Sequence, residues 1–133
     1  MEAIMLVKYK RDYQKIAMGF LSFLPDLDNL SNLKTELNLY TEDNDHALFM
    51  YREAPTADFS GVVGIEASGD SILVRHLSFS PSVRSRATEF QALDDLKQLY
   101  PEATLMGTLE TAHLVVDWQR ERKEQASGSD TEA

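Results

Sequence analysis

Arg84 and Arg86 stand just past Ser80-Pro81-Ser82, inside a stretch from Val74 to Thr88 that carries three arginines and no acid. The periodicity predicts that a strand ends and a helix begins here. A helix start presents unpaired backbone amides and a partial positive charge, which together bind phosphate. Cations in a first helical turn oppose the dipole, so an anion is expected to compensate them; otherwise they reach into water or pair with a surface carboxylate. His76 lies in the preceding strand. An imidazole has an ordinary pKa of about 6.5 and suits a general base. The structural alternative is a strand histidine that faces a helix and bonds to backbone. Glu66, late in the strand before, is a second candidate, activating a water as base, or else a solvated edge residue. His113 follows a plausible helix start and could face solvent; His46, beside an acidic loop, reads as a surface residue.

Other chemistries find no support. There is no cysteine, which excludes disulfides, thiol catalysis and thiolate metal sites and fits a reducing cytoplasm. The three histidines are far apart, and no HExxH, DxDxDG, GxSxG or P-loop pattern occurs. The net charge of −9 disfavours nucleic acid and anionic lipid, so a locally basic pocket suits a small polyphosphate ligand. No run of about 18 apolar residues exists to span a membrane, and the N-terminus lacks signal-peptide architecture. The 133 residues are enough for one domain with a core of its own.

The elements that position these residues follow from hydrophobic period. Ala3–Tyr9 reads as a nearly continuous apolar strand, covered on both faces. Tyr13–Leu24 reads as a helix with Ile16, Phe20, Phe23 and Leu24 on one stripe, stopped by Pro25. Asp26 or Asp28 can cap a second helix, to about Tyr40, with Leu30, Leu33, Leu37 and Tyr40 as its stripe. Strands are expected at His46–Arg52, Phe59–Ala67 and Ser71–Phe79, with Ser68-Gly69-Asp70 as a hairpin turn. In the last of these, Ile72, Val74, His76 and Ser78 should share one face and Leu73, Arg75, Leu77 and Phe79 the other. Val83–Leu99 is expected as a helix, Glu102–Thr108 as a strand, and Leu109 to about Lys123 as a last helix with Ala112, Val115, Val116 and Gln119 inside. Residues 125–133 are polar and are expected to be a disordered tail after a domain spanning 1–124. The order β-α-α-β-β-β-α-β-α defines an α/β fold: a mixed sheet with helices on both faces, three antiparallel strands and then a right-handed crossover.

That order, with Pro81-Ser-Val-Arg-Ser-Arg-Ala87 after the fourth strand, resembles the GNAT N-acetyltransferases over Met1 to about Lys123. The segment Lys15–Pro25 and the short length resemble the RibT-type acetyltransferases found with riboflavin biosynthesis genes. The resemblance implies acetyl-CoA as co-substrate and a small amine as acceptor. The family's pyrophosphate loop, Arg/Gln-x-x-Gly-x-Gly/Ala, falls on Arg84 to Glu89. Arg84 and Arg86, with the amides of Ala87, Thr88 and Glu89, are the expected phosphate contacts. Ala87 and Glu89 stand where the family has glycines, and Glu89 brings a negative charge toward an anionic ligand. The resemblance also implies that the pantetheine arm pairs with the backbone of Leu77 and Phe79, and that the thioester lies in a wedge between His76–Phe79 and Leu105–Thr108. The family often uses a last-helix tyrosine as acid; that position is Val116, which cannot donate. Two other readings stand beside the enzyme: a GNAT-like domain that binds a ligand or protein without catalysis, and a homodimer that pairs an open sheet edge.

Overall fold

The computed structural model describes residues 5–132. Five strands lie in sequence order, β1 (Leu6–Lys8), β2 (His46–Arg52), β3 (Phe59–Ser68), β4 (Ser71–Phe79) and β5 (Thr104–Gly107). Neighbours pair antiparallel from β1 to β4, and β4 pairs parallel with β5. Among the described residues there are four α-helices: α1 (Gln14–Leu21), α2 (Leu30–Glu42), α3 (Arg86–Leu99) and α4 (Ala112–Glu132). This is the α/β order expected, including the strand–helix–strand crossover through α3. The expected first strand, Ala3–Tyr9, lies partly outside the described residues; Leu6–Lys8 is the strand within them.

The sheet separates two cores. On one side α3 and α4 bury Phe90, Leu93, Leu96, Val115 and Trp118 against Ile72, Val74 and Phe79. On the other, α1 and α2 bury Ala17, Leu21, Leu33, Leu37 and Tyr40 against Leu48, Met50 and Val62. Helix faces differ from expectation in phase. A 3₁₀ turn at Arg11–Tyr13 precedes α1, so Ala17 and Leu21 point inward while Ile16 and Phe23 are about half exposed. In α4 the inner stripe is Val115 and Trp118, and Val116 faces outward. Asn29 caps α2 by accepting from the amides of Ser31 and Asn32, because Asp26 is taken into a 3₁₀ turn at Pro25–Leu27 and Asp28 closes it. Leu30, expected in the stripe, is exposed. Backbone helix continues to Glu132, where a last helix to about Lys123 and a disordered polar tail over 125–133 were expected; Ala133 lies outside the described residues.

One irregularity in β4 decides the site. Gly64 pairs with His76, but Ile65 pairs with Val74, so Arg75 is an extra residue on β4. Such a bulge reverses the alternation beyond it. Ile72 and Val74 therefore face α3 and α4, as do Leu77 and Phe79. Arg75, His76 and Ser78 face α1 and α2: Arg75 reaches Glu36, His76 reaches Tyr40, and Ser78 Oγ donates to the Phe20 carbonyl. The two-faced assignment from strict alternation is corrected at this point.

Candidate active site

β4 and β5 part company early. Their pairing runs from Ser71↔Thr104 to Val74↔Gly107 and goes no further. Gly107 allows this junction because the chain turns straight into α4: a Cβ there would lie 2.5 Å from Ala112 Cα. Thr111 locks the turn, its Oγ donating to the Val74 carbonyl at 2.6 Å while accepting from the Thr108 amide at 2.9 Å. A cleft of about 400 Å³ opens beside the unpaired half of β4, and His76, Leu77, Arg75, Glu89, Thr108 and Glu110 are among the residues that line it.

His76 is half-buried at the inner wall. Its Nδ1 lies 2.5 Å from the Tyr40 hydroxyl, and the two rings meet edge-on at 5.8 Å. Burial is the main cause that lowers the His76 pKa below 6.5; Arg75 acts in the same sense, while Glu36, Glu110 and Asp26 oppose it. Burial pushes the Tyr40 phenol far above its ordinary value. Tyr40 can reach the histidine only because Gly64, the partner of His76 across the sheet, has no side chain; a Cβ there would collide with the hydroxyl.

Glu66 does not line this cleft. Its carboxylate lies 3.3 Å from His46 Nε2 and 3.9 Å from Arg75 Nε. Arg75 in turn donates to Glu36 at 3.1 Å and lies 5.4 Å from the centre of the Tyr40 ring. Glu66 thus belongs to a charged network behind the site, holding Arg75. His46 is not a surface residue: its side chain is only 10% exposed, between Asp43 and Glu66. His113 is exposed on α4. Tyr40 and Gly64 are the residues that sequence reasoning missed: Tyr40 read as part of the α2 stripe, and a glycine inside a strand does not announce which side chain it makes room for.

The start of α3 lies one turn later than expected. Ser85 is the cap, its Oγ accepting from the Thr88 amide at 3.1 Å and its carbonyl from the Glu89 amide at 3.0 Å. The amides of Arg86 and Ala87 find no acceptor among the described residues and are the ones open to an anion. Arg84 precedes the helix. Its guanidinium donates to the Phe79 carbonyl at 3.0 and 3.3 Å and sits over Phe23. Arg86 pairs with Asp117 at 3.1 Å, both well exposed. Glu89 is half-buried at the cleft wall, and burial raises its pKa although Arg86 and Arg84 pull it down. Among the described residues no group of three or more His, Asp or Glu could hold a metal ion, and no helix is long and apolar enough to cross a membrane.

A mixed sheet whose fourth and fifth strands splay beside a helix start is the architecture of a GNAT-type acetyltransferase, and comparison agrees. No protein-family model matches the sequence. The chain is 30% identical over 112 residues to an uncharacterized N-acetyltransferase in the lysA 3′ region of Bacillus methanolicus, over 84% of this chain and 92% of that protein. It superposes on AAC(6′)-Iy in complex with the bisubstrate analog CoA-S-monomethyl-acetylneamine with a TM-score of 0.62, at 10% identity over 77% of each chain. A GNAT family acetyltransferase from Staphylococcus aureus gives a TM-score of 0.60, at 14% identity over 80% of this chain and 85% of that one. The chain belongs to the GNAT N-acetyltransferases, enzymes that draw their acetyl group from acetyl-CoA.

Proposed function

We propose that this acetyltransferase acts on a small amine bound in the cleft beside β4, with acetyl-CoA laid along the strand and its diphosphate at the start of α3. The observation that carries this reading is the parting of β4 and β5 after Val74 and Gly107, which leaves the strand edge and the His76 ring around one cleft that Glu89, in the first turn of α3, also lines. Arg86 and the amides of Arg86 and Ala87 hold the diphosphate. The Arg86–Asp117 pair is exposed and so contributes little, leaving it free to exchange for a phosphate. Arg84 secures the end of β4 through the Phe79 carbonyl and joins the phosphate site from there. His76 handles hydrogen bonding at the reacting end, and Glu66 supports it at one remove through Arg75.

The structural relative bound to a neamine-bearing analog supports a small-molecule amine as acceptor, and the resemblance of Lys15–Pro25 to RibT-type enzymes supports an amine of riboflavin metabolism. The test is thermal stability with acetyl-CoA, followed by thiol release across a panel of amines that includes riboflavin precursors. At a ligand concentration 100 times Kd, stabilisation of about 2.7 kcal/mol is expected. No shift at millimolar acetyl-CoA defeats the reading. Glu89 in the phosphate loop favours the second reading, a binding domain without catalysis. That reading wins if acetyl-CoA binds and no amine in the panel releases thiol.

A further inference from the structure

Tyr40 does more than fill the core under α2. It is 5% exposed, and its hydroxyl lies at hydrogen-bonding distance from His76 Nδ1, with the Arg75 guanidinium, a donor only, as its other polar neighbour. Three features converge on this contact. The bulge at Arg75 turns His76 toward α2, Gly64 leaves room for the phenol, and the Arg75 guanidinium lies against the ring of Tyr40.

A Tyr–His pair can share one proton in two ways. The phenol can donate to a bare Nδ1, or Nδ1–H can donate to the phenol oxygen. In the second case the hydroxyl proton has no acceptor among the described residues, since Arg75 can only donate. Leaving a buried donor unmet costs about 1–3 kcal/mol. Burial keeps the phenol protonated and the imidazole neutral. The first arrangement satisfies every group: the hydroxyl donates to Nδ1, and the imidazole proton sits on Nε2. The bond made by one ring nitrogen sets the state of the other.

We infer that Tyr40 is a positioning residue that fixes His76 as its Nε2–H tautomer, so that the cleft is offered a hydrogen-bond donor and not a proton acceptor. The inference rests on the reading of this cleft as the acyl-transfer site. During transfer the amine nitrogen bonds to the acetyl carbon and the carbon–sulfur bond breaks, with its electron pair staying on sulfur. Nε2–H hydrogen-bonds to the thioester atom that gains charge and keeps its own proton. The amine's proton leaves to water. A donor at His76 takes the place of the side chain that Val116, exposed on α4, does not provide.

Nitrogen NMR of the full chain labelled with ¹⁵N-histidine tests this, with His76→Gln identifying the resonances of His76. At neutral pH the wild type should carry the proton on Nε2 and show Nδ1 as a bare acceptor. Tyr40→Phe should lose the single tautomer and move the Nδ1 resonance. Gly64→Ala keeps the phenol and displaces its hydroxyl, and should act alike. A proton on Nδ1 in the wild type overturns the inference, as do nitrogen resonances unchanged in Tyr40→Phe. If either variant unfolds, the wild-type spectrum alone decides. The spectra need no turnover, so a protein that fails to bind acetyl-CoA defeats the functional reading and leaves the tautomer result standing.

Discussion

Glu89 and His76 face the same cleft, and burial shifts their pKa values in opposite directions. Burial raises the Glu89 pKa above 4.5, so the folded state favours its protonated form. A group of this kind adds stability below its unfolded pKa and loses it as pH rises through the folded one. Glu89→Gln should therefore raise thermal stability at neutral pH and lose that advantage near pH 4. The gain should stay below about 1 kcal/mol, because the carboxylate is half exposed and solvent screens it. The same change should tighten acetyl-CoA several-fold by removing a charge beside the diphosphate, which calorimetric titration would read. His76 runs the other way. Its folded pKa lies below 6.5 through burial, so its contribution is complete above pH 6.5 and fades as pH falls through the folded value. Melting temperature should drop between pH 7 and 5, and the drop should shrink in His76→Gln. An equal drop in both proteins would assign it elsewhere.

The elements meet at two tight places. At the first, Gly107 lets α4 begin directly above the end of β5, with Thr111 tying the turn to the Val74 carbonyl. The neighbour that an added methyl would strike is backbone, which cannot swing aside. Gly107→Ala should cost about 1–3 kcal/mol by overpacking. It should also weaken acetyl-CoA binding, since it disturbs the point where the strands part; urea unfolding and a binding titration read the two effects. At the second, α3 is fastened to α4 through Asp94, whose carboxylate accepts from Trp118 Nε1 and twice from Arg122, each at 2.8 Å. That clamp holds the crossover helix, and so its open amides, against the sheet.

On the scale of the molecule, the sheet keeps its two cores apart, and each contributes separately. Leu96 is fully buried against α4 and the sheet; Leu37 is buried beneath α2 on the far side. Each leucine-to-alanine change should cost about 2–5 kcal/mol. The double variant should equal their sum to within about 0.5 kcal/mol, because the sites share no neighbours. Chemical denaturation of the four proteins measures this, and a large coupling would mean that the two faces act as one core.

Order and type of element were legible because each rests on local pattern. The continuous run Met5–Val7, the alternation in β4 up to Val74 and the helical spacing of Phe90, Leu93 and Leu96 announce themselves without neighbours. Prolines at 25, 81 and 101 punctuate them. Phase was less legible. A single 3₁₀ turn before α1 and one extra residue at Arg75 rotate everything downstream, and both are set by how the chain docks. Sequence also singled out His76 and the Arg84–Glu89 loop by residue type. What surrounds them came only from the tertiary structure. A phenol 36 residues upstream of His76, the glycine that makes room for it and the carboxylates that engage Arg75 are brought together across the sheet, and spacing along a chain carries no record of contacts made through space.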